Sequence, residues 1–531
     1  MRPVPNAIAP DLIVIARRIH VLGDHPPVQA LLVRGGRIAA LGTEDEVRAA
    51  ALPGARTERI DGVVTPGLTD AHVHLTVWAL ARRRVDLNAA RSLDEGLAAV
   101  AEAAGTGEGW VRGLGWDRHR WGGLPSKEPL DRVCPDRPAF LQSHDIHAAW
   151  VNTEALRRCG ITRDTPDPEG GEIVRGADGE PTGVLLEKAV HLVESQLPEE
   201  SPEDVRAALL EAQAEAHRLG LTGVHSVDVT GLEDFTGMEQ AGVLRLRVLQ
   251  SIPLSRLEHA IGAALRSGFG GPWIRIGGVK MFLDGALGSR TAWMREPFEG
   301  GGPDDTGIRT LEPDVFRENV RKAAEAGIAS TVHAIGDAAV ELAIDVLGGA
   351  PRVAAMPHRI EHVQLCPPDL WARAGASGLV ASMQPVHLVT DIPAAERHWG
   401  HDRSRGAYSF APLRAAGMTL AFGSDVPVET CDPRIGLFAA VRRVGWDGSP
   451  GEGWWMENAI TAEQALRAYT EGPAHAAGLS HRQGRLLPGY DADLVAWDVD
   501  PLDCEPEALR DMRCLLTMVD GEVVHRGGLA G

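Results

Sequence analysis

The fold is decided by residues 63–74, which read Val-Val-Thr-Pro-Gly-Leu-Thr-Asp-Ala-His-Val-His. The β-branched and apolar run from Val63 to Leu68 predicts a buried strand, and two histidines follow it closely. Residues i and i+2 of an extended segment point to the same side, so His72 and His74 direct two imidazoles at one point. Neutral imidazoles suit zinc, copper, nickel or iron. Two histidines that merely fill polar positions would show the same spacing, so this pair alone leaves both interpretations open.

Seven further β-branched or apolar runs lie downstream, separated by amphipathic helical stretches such as residues 202–219 and 315–326. The runs are Thr222 to Val227, Leu244 to Gln250, Arg275 to Leu283, Ile328 to His333, His358 to His362, Leu379 to Gln384 and Leu420 to Gly423. Strands that alternate with helices predict a parallel sheet, and eight is the number of strands that closes a (β/α)8 barrel. We therefore predict the α/β class, with a TIM-like barrel over residues 63–484.

The two ends of the chain show a different pattern. Residues 1–62 and 485–531 consist of short apolar runs between turn signals such as Asp520-Gly521, which is typical of strands and hairpins. A hairpin by itself is marginally stable in water, so we expect both ends to pair into one composite β domain of the sandwich type. Residues 112–181 are dense in Gly, Pro, Trp and Asp, and we interpret residues 80–200 as an inserted subdomain.

Composition excludes several classes of protein. The 531 residues are 44% hydrophobic and 24% charged, which is typical of a soluble globular protein. The net charge of −20 would repel phosphate backbones and anionic membranes, so neither nucleic acid nor a membrane is an expected partner. No stretch approaches the ~20 apolar residues of a membrane span, and Pro10 and Asp11 interrupt the apolar N-terminal stretch. The six cysteines form no C-x-x-C pair and favour a reducing, cytoplasmic location.

Three more candidate ligands occupy equivalent positions in the predicted barrel. His333 ends the fifth predicted strand, His362 ends the sixth, and Asp425 follows the eighth. Barrel enzymes place their chemistry at the carboxyl-terminal ends of the strands. Histidines that serve only the core would be scattered, so this joint placement favours a single site.

Lys280 lies within the fourth predicted strand, in Gly-Val-Lys-Met-Phe-Leu-Asp. A protonated amine cannot bind a metal, and an unpaired buried ammonium is costly. Either the amine pairs with a carboxylate, or it reacts with carbon dioxide to form a carbamate whose two oxygens could bridge two cations. The residue taken alone favours the ion pair.

These residues belong to an ordered series of motifs that extends over most of the chain. The series is residues 66–74, Lys280 with Asp284-Gly-Ala-Leu-Gly-Ser-Arg-Thr-Ala292, His333-Ala-Ile-Gly-Asp337, Arg359-Ile-Glu-His362, Ser382-Met-Gln-Pro385 and Gly423-Ser-Asp-Val-Pro427. It resembles the amidohydrolase superfamily, and most closely the family 3 branch that includes N-substituted formamide deformylase. The resemblance covers about residues 11 to 526.

The resemblance implies a complete set of metal ligands. By position, these are His72, His74, Lys280, His333, His362 and Asp425. The implied cofactors are two divalent metal ions, with zinc expected. Because lysine at the position of Lys280 is carboxylated and bridges two metals in many members, the resemblance reverses the preference and favours an N6-carboxylated Lys280.

The implied activity is hydrolysis of an amide or formamide C–N bond in a small N-acyl or N-formyl compound. A metal-activated hydroxide would attack the carbonyl, since zinc lowers the pKa of bound water to about 7. Asp425 would act as general base and then as general acid. A deaminase of the same superfamily is an alternative, although such enzymes commonly use one metal without the bridging lysine. A non-catalytic regulator is a second alternative, against which the complete ligand set argues.

Expected substrate contacts are Trp116, His147, Asp284, Arg290 and His387. Arg290 could clamp a carboxylate or an oxyanion, or it could pair with a structural acid. Trp116 could wall a pocket or pack inside the insertion. The expected partner is the small-molecule substrate. A homodimer is one assembly that we consider, and the sequence leaves the oligomeric state open.

Overall fold

A computed structural model of the chain describes residues 10–23, 25–105, 109–118, 120–143 and 148–527. The chain divides into two compact units. One unit comprises Met1–Trp78 and Leu209–Gly531, and the other comprises Ala79–Ala208. The second unit is therefore a continuous insertion into the first, somewhat longer than the predicted residues 80–200.

The strands of the described residues are numbered in chain order. They are β1 (Leu12–Ile19), β2 (Val28–Arg34), β3 (Arg37–Gly42), β4 (Arg56–Pro66), β5 (Leu68–Val73), β6 (Val85–Asp86), β7 (Val111–Trp116), β8 (Ala139–Ser143), β9 (Ala148–Val151), β10 (Gly171–Arg175), β11 (Pro181–Glu187), β12 (Leu221–Ser226), β13 (Arg247–Pro253), β14 (Ile274–Phe282), β15 (Ser330–Ala334), β16 (Arg359–His362), β17 (Val380–Met383), β18 (Thr419–Phe422), β19 (Leu494–Trp497), β20 (Cys514–Val519) and β21 (Glu522–Arg526).

The α-helices are numbered in the same way. They are α1 (Glu44–Ala50), α2 (Leu75–Ala81), α3 (Leu93–Ala104), α4 (Lys127–Val133), α5 (Thr153–Arg158), α6 (His191–Glu194), α7 (Pro202–Arg218), α8 (Leu232–Gln240), α9 (Leu257–Gly262), α10 (Pro313–Glu325), α11 (Asp337–Gly348), α12 (Pro368–Ala376), α13 (Pro385–His398), α14 (His401–Ser404), α15 (Phe410–Ala415), α16 (Pro433–Arg442), α17 (Ala462–Ala468), α18 (Glu471–Ala476) and α19 (Pro506–Asp511). Short 3₁₀ turns occur at Lys188–Val190, Leu254–Arg256 and Met456–Asn458. Among the residues described, no helix has the length and apolarity needed to cross a membrane.

Eight strands form the predicted barrel. Their order is β5-β12-β13-β14-β15-β16-β17-β18, and all neighbours are parallel. The ladder is interrupted between β18 and β5. There the amide of Asp425 donates to the carbonyl of His72 at 2.7 Å, and the amide of His74 donates to the carbonyl of Val426 at 2.9 Å. The barrel is thus closed by a short seam rather than by a continuous strand pair.

The predicted position of the first barrel strand, Val63 to Leu68, is wrong. Val63 and Val64 belong to β4, which pairs with β1 and β19, whereas the barrel strand β5 begins only at Leu68. The apolar run continues through both strands, so hydrophobicity alone does not show where one ends. The chain changes sheets at Gly67, where a Cβ atom would lie 2.3 Å from the side chain of Thr222. His72 consequently lies within the barrel strand and not beyond it.

Both ends of the chain contribute to one seven-stranded sheet of order β21-β20-β19-β4-β1-β2-β3. β4 is parallel to β1 and antiparallel to β19, so it joins the N-terminal strands to the C-terminal ones. Buried side chains from both ends, including Val14, Leu31, Leu494 and Met518, share one core. The β unit is therefore a single mixed sheet to which both ends of the chain contribute strands.

The insertion has a sheet and a core of its own. Its six strands have the order β10-β11-β9-β8-β7-β6. Trp116, Leu130, Leu141 and Trp150 are fully buried in one of its apolar clusters. Large apolar side chains inside the insertion give it the burial that a small subdomain requires.

Candidate metal centre and active site

The carboxyl-terminal ends of the barrel strands bring the sequence-predicted ligands together. His72, His362 and Asp425 each offer one ligand atom, and these atoms all lie within 4.8 Å of one another. The imidazole of His362 has its centroid 4.8 Å from that of His72 and 4.4 Å from that of His333. Three strands, β5, β15 and β16, thus direct imidazoles to the same place.

Asp425 faces both members of the first histidine pair. Its Oδ1 atom lies 3.4 Å from Nε2 of His72 and 3.4 Å from Nε2 of His74. Burial raises the pKa of Asp425, but the surrounding histidines outweigh burial and hold this pKa well below its ordinary value. The group is therefore an ionised carboxylate with an oxygen facing two ring nitrogens.

Both histidines of the pair are held through their other ring nitrogen. Nδ1 of His72 lies 2.5 Å from Oε2 of Glu361, and Nδ1 of His74 lies 3.1 Å from Oδ1 of Asp228. A carboxylate accepts the N–H of a neutral imidazole, which leaves the lone pair on the opposite nitrogen. In both residues that nitrogen is Nε2, the atom that faces Asp425. Against the effect of burial, Asp228 and Asp425 raise the pKa of His74 to about 9, so its lone pair becomes available when a metal ion displaces the second proton.

The histidines of β15 and β16 are oriented in the same manner. Nδ1 of His362 donates to Oε1 of Gln384 at 2.9 Å, which leaves Nε2 as the electron-pair donor. Nε2 of His333 donates to the carbonyl of Gly285 at 2.9 Å, which leaves Nδ1. Metal-binding histidines usually donate their second N–H to a carboxylate or a carbonyl in this way. Four oriented imidazoles and a carboxylate are a donor set that fits zinc or a similar divalent ion.

The amine of Lys280 lies in an environment that disfavours its usual protonated state. It is buried, and Nζ makes no hydrogen bond to any described residue. Burial lowers the pKa of Lys280 to about 8, although Glu361 and Asp425 act in the opposite direction. An unpaired buried ammonium is costly. The environment of Lys280 therefore fits a side chain that takes part in a metal site better than it fits a free ammonium group.

Glu361 is a candidate positioning residue that the sequence reasoning did not single out. It is fully buried between His72 and Arg359, whose Nε atom lies 2.6 Å from Oε1 of Glu361. Burial raises the pKa of Glu361, but Arg359 and His72 lower it to about 2. Nη1 of Arg359 lies 2.8 Å from Nδ1 of His225, so the series of contacts that begins at Glu361 extends through Arg359 to β12. The only signal in the sequence was the acid beside His362 in the quoted motif.

Asp70 holds the two sides of the seam together. Its Oδ1 accepts the backbone N–H of His72 at 3.1 Å and that of Ser424 at 2.9 Å. A Cβ atom at Gly423 would lie 2.5 Å from the backbone nitrogen of His72, so only glycine permits this approach. Burial raises the pKa of Asp70 to about 7. Asp70 therefore positions ligands that come from opposite ends of the barrel sequence.

Two of the candidate ligands have an unusual backbone conformation. The φ angle is 72° at His362 and 61° at Asp425, in the left-handed region that favours glycine. Such a residue costs of order 1–3 kcal/mol and is found where the surrounding structure imposes it, often at functional sites. The fold therefore carries this conformational cost at two candidate ligands, one at the end of β16 and one just beyond the end of β18.

The predicted substrate residues near Lys280 have protein partners. Asp284 is buried, and its carboxylate accepts backbone N–H groups from Trp293 at 2.9 Å, Ile335 at 3.1 Å and Gly336 at 2.7 Å. The guanidinium of Arg290 forms an ion pair with Asp305.

The other three predicted substrate residues are distributed differently. Nε2 of His387 donates to the carbonyl of Ser424 at 3.1 Å and lies 3.9 Å from Oδ2 of Asp425, so this residue adjoins the metal site. Trp116 donates its indole N–H to the carbonyl of Leu141 at 2.8 Å inside the insertion. His147 lies outside the described residues.

The chain is similar in sequence and in structure to several known proteins. The model of the amidohydrolase family matches residues 61–525. The protein YtcJ of Bacillus subtilis is 32% identical over 516 residues, which cover 95% of this chain and 97% of that protein. The N-substituted formamide deformylase of Arthrobacter pascens is 31% identical over 552 residues, covering 96% and 97%. A crystal structure of a metal-dependent hydrolase of Pyrococcus horikoshii has a TM-score of 0.79 at 27% identity, covering 94% of this chain and 99% of that one.

The matches and the site agree with each other. The residues that the family model matches include the positions of all six sequence-predicted ligands, and the fold places His72, His362 and Asp425 within reach of a single ion. The similarity to the Pyrococcus hydrolase extends over nearly the whole of both chains. The chain belongs to the amidohydrolase family and is a hydrolase of its metal-dependent type.

Proposed function

We propose that this hydrolase cleaves the C–N bond of a small N-acyl or N-formyl compound and releases a carboxylic acid and an amine. The observation that carries this proposal is the cluster of four imidazoles, each held by one nitrogen, with the carboxylate of Asp425 facing two of them. The similarity to a formamide deformylase over almost the whole chain supports an amide as the substrate class.

We further propose two zinc ions as the cofactors. Their ligands would be His72, His74, His333, His362 and Asp425, together with Lys280. Bound zinc supplies a water of lowered pKa and a positive charge that polarises the substrate carbonyl. The proton transfers of the reaction are assigned to residues of the chain.

Asp425 is the proton carrier in this proposal. Because its pKa is held low, it is a carboxylate at neutral pH and can accept a proton from the attacking water. When the C–N bond breaks, the electron pair of that bond goes to nitrogen, and Asp425 returns the proton there. Nε2 of His387 lies 3.9 Å from Oδ2, the second oxygen of this carboxylate. His387 is therefore next to the group that carries the proton in this proposal.

Lys280 is proposed to be carboxylated. Only the neutral amine attacks carbon dioxide, and the lowered pKa of about 8 increases the neutral fraction at physiological pH. The new N–C bond forms as the amine loses one proton, which gives a carbamate anion. Divalent cations would stabilise a buried anion beside several metal ligands, and Nζ has no hydrogen-bond partner among the described residues that would compete for this role.

Asp284, which the sequence suggests as a substrate contact, is proposed instead to position His333 and the loop after β14. Its Oδ1 lies 3.4 Å from Nε2 of His333, and three backbone N–H groups occupy its oxygens. Trp116, His147, Arg290 and His387 are kept as proposed substrate contacts. A cytoplasmic location and a homodimer are proposed as well. The described cysteines, which form no disulfide, are compatible with that location.

The proposal is tested with the full-length, zinc-loaded protein and a panel of N-alkyl formamides and N-alkyl acetamides. Amine, carboxylic acid and ammonia are measured separately. Equal amounts of amine and acid, lost in Asp425→Asn but kept in the exposed control Asp304→Asn, support the proposal. Ammonia release would identify a deaminase. Zinc-loaded protein that releases no amine from any member of the panel would overturn the proposed substrate class.

A further inference from the structure

Phe282 is an aromatic residue at the rim of the metal site. It is the last residue of β14, two positions beyond Lys280, and 48% of its surface is exposed. Its ring centroid lies 5.2 Å from the imidazole of His333 and 4.8 Å from Nζ of Lys280. One face of the site is thus bounded by an aromatic ring that contacts two of the candidate metal-binding residues.

The backbone on both sides of this ring is held in place. Phe282 lies opposite His333 in the parallel ladder, and the amide of Leu283 donates to the carbonyl of His333 at 3.0 Å. On the other side, the hydroxyl of Thr310 donates to the carbonyl of Phe282 at 2.8 Å. The amide of Thr310 also donates to the carbonyl of Leu283 at 2.9 Å. A backbone held in this way fixes the point from which the ring extends, which limits the entropy lost when the ring contacts a ligand.

Other exposed apolar side chains adjoin the site residues. Val428, which is 66% exposed, donates its backbone N–H to the carbonyl of Asp425 at 2.9 Å. Ile308, two residues before Thr310, is 53% exposed. Exposed apolar side chains close to a site are typical of proteins that bind ligands with apolar groups.

We propose that Phe282 is a specificity-determining residue that packs against an alkyl or aryl substituent of the substrate amide. The inference rests on the proposed function and deepens it, since it assigns apolar N-acyl or N-formyl amines as the substrate class. Aromatic rings contribute both buried area and a directional preference for a second ring. Phe282 itself takes part in no bond-making step.

The test measures how kcat/KM depends on the size of the substituent. One series varies the amine side of the amide, from N-methyl to N-propyl, N-hexyl and N-(2-phenylethyl) formamide. A second series keeps N-methyl and lengthens the acyl chain, so the two series distinguish which side faces Phe282. Each buried methylene group contributes about 0.8 kcal/mol, which corresponds to about a fourfold rise in kcat/KM per methylene at most.

The variants are Phe282→Ala and Phe282→Leu, with Phe269→Ala as the matched control. Phe269 is also an exposed phenylalanine, at 64%, but it precedes the opposite end of β14. We expect Phe282→Ala to lower kcat/KM for the hexyl and phenylethyl compounds by about tenfold or more through KM. The N-methyl compounds should change by less than about threefold, Phe282→Leu should recover the hexyl but not the phenylethyl compound, and Phe269→Ala should match the parent.

Each contrary outcome has one meaning. If the parent enzyme hydrolyses these amides but kcat/KM does not rise with substituent size in either series, the inference is overturned while the proposed function stands. A loss in Phe282→Ala that is equal for all substrates, with metal content reduced, would show that the ring only supports His333 and would also overturn it. If the parent hydrolyses no amide, the proposed function fails first, and zinc analysis of the same sample establishes that the enzyme was loaded.

Discussion

Replacing Asp228 by asparagine should weaken metal binding without removing any metal ligand. The carboxylate of Asp228 is buried, and its two oxygens accept from Nδ1 of His74 at 3.1 Å and from the backbone N–H of Thr76 at 2.7 Å. Asparagine has one acceptor oxygen for these two donors, so one hydrogen bond is lost together with the negative charge. Asp228 also opposes the effect of burial on His74 and, with Asp425, raises its pKa to about 9. The variant therefore reduces the electron-donating power of His74 as well as its orientation.

The magnitude follows from the size of that contact. A hydrogen bond to a charged group contributes about 1.5–3 kcal/mol. At about 1.4 kcal/mol per tenfold change in affinity, this corresponds to a roughly 10–100-fold loss of zinc affinity, the range typical of such supporting residues. Activity at saturating zinc should fall less than affinity, because every ligand atom remains.

The assay is a competition titration of the metal-free protein with a chromophoric zinc chelator, with circular dichroism to confirm the fold. Asp304→Asn, an exposed acid whose side chain holds no ligand, is the control. A zinc affinity of Asp228→Asn within about twofold of the parent would refute the idea that the carboxylate orients His74 for metal binding.

Four further predictions follow from the same structure. Active enzyme should contain about two divalent ions per chain and lose activity to chelators; less than half an ion in fully active enzyme, by elemental analysis, would contradict the proposed centre. Asp425→Asn should keep most of the metal while kcat falls by about 10²–10⁴, the usual contribution of a positioned acid or base; steady-state kinetics within a few-fold of the parent would assign the proton transfer elsewhere, first to His387. Lys280→Ala should lose metal and activity, both partly restored by a short carboxylic acid, whereas full metal retention in the untreated variant would remove the carbamate from the site. Truncation at Leu487 deletes β19, exposes the edge of β4 and should cause aggregation in light scattering; a soluble and active truncation would show that the two ends do not depend on each other.

Much of the barrel could be predicted from the sequence because its strands alternate with amphipathic helices. Seven of the eight predicted strands overlap the observed barrel strands by three residues or more, whereas the first overlaps its barrel strand β5 only at Leu68. The first strand was misplaced because the end of β4 and the start of β5 are both apolar and only Gly67 separates the two strands. A change from one sheet to another leaves no trace in hydrophobic periodicity.

The supporting residues of the site were harder to predict than the ligands. His72 and Asp425 stand out because histidines and acids are rare at strand ends, and the position within the motif is enough to suggest a ligand. Which acid meets the second nitrogen of each histidine depends on strand register across the barrel. Glu361 is 289 residues from His72 and Asp228 is 154 residues from His74, so no local pattern links them.

The seam between β5 and β18 makes the metal centre part of how this barrel is held shut. Asp70 and Ser424 are 354 residues apart in sequence, and His72 and Asp425, the candidate ligands beside them, come from the same two edges. An ion bound by both edges would act as a removable cross-link between distant parts of the chain, and such a link restricts the unfolded and partly open states more strongly the longer the loop that it closes. The same ion that serves the reaction would then also determine how often the barrel wall opens at this one place.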